Sequence, residues 1–325
     1  MSLLVTNVPV STRILCGAVV FISGIIFIVK LNGFQSEVAR NPDVKLTFHD
    51  VLVPNFQLIP KSTFTHPWVL VTAIFAEISV FFFFTSLAVL FFASRYLETF
   101  WGFQEVVQFV LIVGSVTNLW TVLVTIVSNI FRLDVLGMNK PLGGGLPYYV
   151  GFLVALKQLI PEHNIVLFQG VLLVRVKQLA FIVMCICAVW SLVFRTLYPI
   201  VPFIGAFFTA YTYLRFYQQS TADSILPIAG GSDANVLIGD ALDTFRIIEF
   251  FPSQSRPYLA PVTDGIYDVA VLAGIVSPFN DDDIEQSNIR AQRRHEGHKL
   301  AANAVAERRR QVALQVIEDR IAENN

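Results

Sequence analysis

Six runs of apolar residues, each 16 to 25 residues long, dominate this chain of 325 residues. A backbone in hydrocarbon must bond all its own amides, so runs of about 17–25 apolar residues are read as spanning helices. The runs lie at about 14–29, 68–92, 106–130, 142–160, 179–194 and 197–214. Arg13 and Lys30 bound the first, and no small-x-small cleavage site follows it, so it reads as a retained anchor rather than a signal peptide. The second holds Phe81-Phe82-Phe83-Phe84, and Asn118 interrupts the third. The fourth opens on Gly143-Gly144-Gly145 and carries Gly151. Little more than Arg195-Thr196 separates the fifth from the sixth, which predicts a tight antiparallel pair. Pro199, Pro202 and Gly205 in the sixth are tolerable where neighbouring helices cover the freed carbonyls.

Charge divides the chain in the same way. Of 47 charged residues, 20 fall in residues 1–213 and 27 in residues 214–325. The first part is far too poorly charged to solvate a globular surface, whereas the second is near the soluble norm of about 25%. The expectation is an all-α membrane protein: residues 1–214 form a six-helix membrane domain, 215–280 a membrane-proximal segment with short surface-lying helices, and 281–325 a charged amphipathic helix. A net charge of −1 provides no basic face for nucleic acid. The three cysteines, Cys16, Cys185 and Cys187, sit in apolar runs and form no disulfide framework. An even span count puts both termini on one side. Basic residues flanking the spans number six on the N-terminal side and seven on the other, so the positive-inside rule does not orient the chain. With no N-x-Ser/Thr sequon and no cysteine pair in its polar part, the tail is expected in the cytosol.

Residues 31–66 form the longest loop between spans. Their aromatic and proline punctuation fits either a segment resting on the membrane surface or an ordinary amphipathic loop. Glu77 is the one acid well inside a span. It is either hydrogen-bonded to a neighbouring helix or part of a proton relay. Gly143-Gly144-Gly145 lacks the Lys-Ser/Thr and the preceding strand of a phosphate loop and reads as close helix packing. No His, Cys, Asp and Glu cluster has metal spacing: His295 and His298 lack a third ligand. No cofactor is expected. Trp68 and Trp101 fit an interfacial aromatic belt.

A short first helix, a long surface loop and five further helices are the order found in rhomboid intramembrane proteases. Pro67-Trp68-Val69-Leu70-Val71-Thr72, Phe75 and Arg95-Tyr96-Leu97-Glu98 resemble the rhomboid stretch that enters and crosses the second helix. The chain is more closely similar to one branch, the transmembrane protein 115 family of rhomboid-like Golgi membrane proteins. Leu97-Glu98-Thr99-Phe100-Trp101-Gly102, Gly151 with Val154-Ala155-Leu156-Lys157-Gln158, and Val174-Arg175-Val176 carry the resemblance. So do Tyr213-Leu214-Arg215-Phe216-Tyr217-Gln218, Phe250-Phe251-Pro252 and Ala306-Glu307-Arg308-Arg309-Arg310-Gln311-Val312-Ala313-Leu314. Trp68, Glu98, Trp101, Gly102, Gly151, Lys157, Arg215, Arg308, Arg309 and Arg310 are the structural or partner-binding candidates this implies.

Intramembrane proteolysis needs a nucleophile, a base and an oxyanion hole. The resemblance aligns the rhomboid G-x-S-G with Gly144-Gly145-Leu146-Pro147, so the nucleophile position is Leu146. The second-helix pattern of two histidines and an asparagine falls on Glu77, Phe82 and Ser86. The histidines are His49, His66, His163, His295 and His298, none of them between Leu197 and Leu214. The expectation is a pseudoprotease rather than a peptidase. The resemblance implies Golgi residence, with the endoplasmic reticulum as the alternative, and a role in Golgi-to-ER retrograde transport. It implies three kinds of partner: the lipid bilayer, transmembrane helices of client proteins and a cytosolic vesicle-tethering complex. A homo-oligomer is left open. The competing readings are a transporter or small-molecule membrane enzyme using Glu77 and, last, an active serine protease.

After Asp281-Asp282-Asp283 the spacing predicts a long polar helix with Arg308-Arg309-Arg310 in its later half. Val305, Val312, Ala313, Val316, Ile317 and Ile321 form one apolar stripe along it. The stripe either docks back onto residues 215–280 or binds a trafficking factor.

Overall fold

In a computed structural model, the first apolar run becomes α1 (Val10–Arg40), a helix of 31 residues that continues past Lys30. The structure describes residues 8–40, 48, 50–131, 137–161, 163–167, 172–220, 237–274 and 276–279, together with 284–285, 287–289, 291–292, 307 and 310–311. Lys30 does not end α1, because its ammonium is buried over the Phe48 ring, 5.7 Å from the centroid. At the other end no local side chain caps the helix. Glu98 does so from a distance: its carboxylate accepts the backbone N–H groups of Val10 (3.1 Å) and Ser11 (2.9 Å) and the Ser11 hydroxyl.

The second run, expected as one span over 68–92, is broken. It forms a single turn α2 (Val69–Thr72), a 3₁₀ turn (Ala73–Phe75), an extended link and then α3 (Val80–Trp101). The apolar pattern hides this break because the residues stay hydrophobic while tertiary hydrogen bonds take over the backbone. Ala73 O accepts Gly144 N (2.9 Å), Phe75 O accepts the Ser23 hydroxyl (2.9 Å), and Glu77 N donates to the Ser23 oxygen (3.1 Å). Irregular backbone at membrane depth requires this kind of coverage.

Gly102, at φ +81°, separates α3 from α4 (Phe103–Ile130). On α4, Asn118 donates to Leu70 O at 2.8 Å, which satisfies the polar interruption noted in that run. The fourth run starts its helix later than expected: α5 covers Leu146–Leu159. Gly143 and Gly144, at φ +121° and +94°, form a left-handed turn ahead of α5 instead of a small-residue helix face. Residues 50–67 fold against this turn, with Leu142 N bonded to Leu58 O at 2.7 Å. A short antiparallel ribbon, β1 (Asn164–Leu167) with β2 (Leu172–Arg175), leads into α6 (Val176–Val193). Next come α7 (Ile200–Thr212) and a π-helical turn (Tyr213–Tyr217).

Among the described residues, four helices, α1, α3, α4 and α6, are long and apolar enough to cross a bilayer. Their exposed apolar side chains, among them Phe81, Phe92, Ile130 and Leu192, face outward as lipid-facing residues do. The chain is therefore an integral multi-pass membrane protein. At 14 and 13 residues, α5 and α7 fall short of the roughly 20 residues a full span takes. They pack against each other and against α4 in the middle of the bundle.

Part of the chain past 214 packs into the bundle. Leu242, Phe245 and Phe250 belong to the same core as α4, α5 and α7. The second ribbon, β3 (Gln219–Ser220) with β4 (Leu237–Ile238), and 3₁₀ turns at Asp243–Phe245 and Ile247–Phe250 lead to α8 (Arg256–Leu272). Apart from these two ribbons the described elements are helical. Of the last segment, positions such as Glu307, Arg310 and Gln311 are helical. Arg308, Arg309 and the apolar stripe from Val305 to Ile321 lie outside the described residues.

Candidate functional site

Where the extended link 76–79 meets the glycine turn, Glu77 gathers a polar cluster. One carboxylate oxygen accepts the Ser86 hydroxyl at 2.6 Å and Gly145 N–H at 2.7 Å. Ser86 has one proton to give, so the Tyr149 phenol, 2.5 Å away, donates to the serine oxygen. Three elements thus converge: the start of α3 supplies Ser86, the glycine turn an N–H, and α5 the tyrosine. Tyr148 stacks edge-on against Tyr149, ring centroids 5.0 Å apart, and the Tyr198 hydroxyl donates to Gly143 O at 3.3 Å.

Glycine is obligatory at 144. Its φ of +94° disfavours any side chain, and a Cβ would stand 3.1 Å from the second Glu77 oxygen. Gly143, Glu77, Ser79 and Phe82 line a cleft of about 210 Å³ together with Gln57, whose buried side-chain amide nitrogen has no hydrogen-bond partner. The cleft offers a donor and a carboxylate oxygen to a polar group entering from the side of α3.

The two rhomboid-like segments singled out in the sequence do come together. Ser86 is fully buried, Gly145 joins it through Glu77, and Phe82 stands half exposed at the cleft. Leu146, in the first turn of α5, is partly buried against the core, and Pro147 behind it is buried. The other candidates scatter. Trp68 is exposed and donates to Asn55 O at 3.1 Å. Trp101 packs on Phe109, with ring centroids 5.4 Å apart, and Gly151 lets α5 approach that same ring. Lys157 is 2% exposed, and its ammonium sits 3.3 Å from the Phe250 ring centroid with no hydrogen-bond partner. Arg215 fastens the later chain to the bundle by donating to Asp240 O (2.7 Å) and Leu242 O (2.5 Å). Gln158 adds a bond to the Asp240 carboxylate at 2.9 Å. Arg310 is exposed.

Sequence reasoning missed Ser23, Tyr149 and Tyr198. Only Tyr149 had a readable signal: it follows Leu146 by three residues, which puts both on one face of α5.

Residues 13–323 match the family described as eukaryotic integral membrane protein (DUF1751). The chain is 29% identical over 331 residues to the Transmembrane protein 115 homolog of Saccharomyces cerevisiae, covering 98% of this chain and 94% of that one. It is also 29% identical over 218 residues to Rhomboid-like protein 19 of Arabidopsis thaliana, covering 66% of each. No solved structure matches. With nearly its whole length matched, the chain belongs to this eukaryotic integral membrane protein family, alongside a transmembrane protein 115 homolog and a rhomboid-like relative.

Proposed function

We propose that this protein is a rhomboid-like pseudoprotease of the Golgi membrane that acts in Golgi-to-ER retrograde transport. It holds the transmembrane helices of client proteins without cutting them, while its C-terminal part meets a cytosolic vesicle-tethering complex. In this reading α5 and α7 are the fourth and sixth spans, short because the longer helices around them shield their ends. The reading rests above all on one observation: at the centre of the bundle a leucine opens α5, and Glu77, Ser86, Gly145 and Tyr149 bond to one another. Ser86 is bonded to Tyr149, and among the described residues no histidine reaches it. The cleft beside Glu77, with the unpartnered Gln57 amide, suits a polar side chain on a visiting helix, and such contacts steer association in lipid.

A fluorophosphonate probe on protein reconstituted in liposomes tests the first half of this reading; labelling of a single serine above background would overturn it. Proximity labelling from a tag on the C-terminus tests the second, and recovery of neither tethering nor coat proteins would refute the transport role. The same cleft also supports a second reading, a carrier or small-molecule enzyme that uses the Glu77 carboxylate. Glu77→Gln distinguishes the two, because a proton-coupled carrier loses function while a scaffold keeps it.

A further inference from the structure

A second cleft, of about 190 Å³, lies where α6 begins and the 3₁₀ turn at Ile247–Phe250 passes into α8. Arg175, Lys177 and Arg256 line it with one carboxylate among the described residues, Glu249. Glu249 is already engaged by Arg256 Nη1 at 2.7 Å, and the Arg175 guanidinium gives the cleft a surplus of positive charge. Arg256 Nε is buried there with no hydrogen-bond partner. Ser253 and Gln178 add neutral donors. Neither helix has a side-chain cap at its start, although backbone carbonyls take several of the first-turn N–H groups: His163 O accepts Val176 N–H, and Ser255 O accepts those of Tyr258 and Leu259. Behind the cleft, the buried Lys157 Nζ rests on the Phe250 ring with no hydrogen-bond partner. A site with this many donors and one occupied acid is built for an anion carrying several oxygens.

We propose that this cleft binds the phosphate of an anionic phospholipid headgroup, with α8 lying along the bilayer surface beside it. The lipid source follows from what surrounds the cleft. It sits at the first residue of a membrane-crossing helix, which is headgroup depth, and the Phe181–Phe251 ring pair ties it to α6 at 5.7 Å between centroids. From Arg256 onward α8 buries none of its residues. Tyr258, Val262, Ile266, Val269 and Leu272 fall on one helical face at intervals of four, four, three and three, and are 56–86% exposed. That stripe is exposed on a helix that starts beside the first turn of a membrane-crossing helix, so acyl chains are the occupant that covers it. The opposite face carries Asp264, paired with Arg246 at 3.5 Å, and Asp268, so the anion site is confined to the first turn.

The test uses the full chain in neutral detergent micelles doped with phosphatidylcholine alone, with phosphatidic acid, or with glycerol 3-phosphate as the free phosphate. Phosphatidic acid is expected to raise the melting midpoint and to co-purify, and the other two to do neither. Arg175→Gln combined with Lys177→Gln should weaken retention roughly tenfold or more, given the usual pull of each basic residue on anionic lipid. Glu249→Gln should strengthen it. An equal response to phosphatidylcholine, or a double variant that folds and retains the lipid unchanged, overturns the site. Equal affinity for glycerol 3-phosphate overturns the lipid assignment. Should the double variant fail to fold, Glu249→Gln decides alone, and no gain in retention overturns the proposal.

Discussion

The carboxylate of Glu98 accepts the backbone N–H of Ser11 at 2.9 Å, across 87 positions of chain. A residue near the end of α3 thereby serves as the missing N-terminal cap of α1. Glu98→Ala leaves the Val10 and Ser11 amides and the Ser11 hydroxyl without their acceptor. It is expected to destabilise the bundle by about 1–3 kcal/mol. Thermal melting in detergent should show a drop of several degrees, and Glu98→Gln, which keeps one acceptor oxygen, a smaller one.

Around Glu77 the shared hydrogen bonds predict strong coupling. Ser86→Ala and Tyr149→Phe should each destabilise by about 1–2 kcal/mol. Because the second bond feeds the first, the double variant should lose less than the sum, with a coupling of about 0.5 kcal/mol or more. Strict additivity would mean that the cluster is not a unit. Gly144→Ala is expected to be worse than either, since its backbone is left-handed and its Cβ would press on Glu77.

Two tight helix crossings make a contrast. A methyl at Gly114 would overlap the fully buried Ile74, and one at Gly205 would overlap Trp120, which is nearly half exposed. Ile74 is branched and enclosed, whereas Trp120 can swing outward into lipid. Gly114→Ala is therefore expected to cost about 1–3 kcal/mol, while Gly205→Ala stays near neutral because the helix-propensity gain offsets the strain. Equal melting losses in the two variants would contradict this.

Lys157 sets desolvation against a cation–π contact. Burying an ammonium without a hydrogen-bond partner is more expensive than the roughly 2 kcal/mol such a contact returns. Lys157→Met, similar in length and able to pack its sulfur on Phe250, should raise the melting midpoint. A fall would show that the ammonium has a stabilising partner in solution.

How far the sequence foretold this arrangement depended on where the deciding forces lie. Apolar runs are a local property, and α4 and α6 begin and end within a few residues of where those runs predict. The reach of α1 to Arg40 was hidden because Lys30, charged and flanking an apolar run, reads as a border when in fact an aromatic ring covers it. The break at 76–79 was hard to read because only Glu77 and Ser79 interrupt an apolar run and the donors that hold it open sit far away, on Ser23 and Gly144. The resemblance picked out Ser86 and Gly145, and Glu77 as an intramembrane acid. Only folding could reveal that Glu77 joins the other two. The docking of Leu242, Phe245 and Phe250 into the core escaped notice because Asp240, Asp243, Arg246 and Glu249 break their apolar stretch into short pieces.

The broken helix also sets an order of events in biogenesis. Ala73 O and the Glu77 carboxylate meet their donors on Gly144 and Gly145, and the second of these bonds bridges 68 positions. Until the ribosome has made that later turn, the earlier segment sits in or near the membrane with polar groups it cannot satisfy. Insertion of this protein is thus a joint act of two segments, and the translocation machinery must shelter the first until the second arrives.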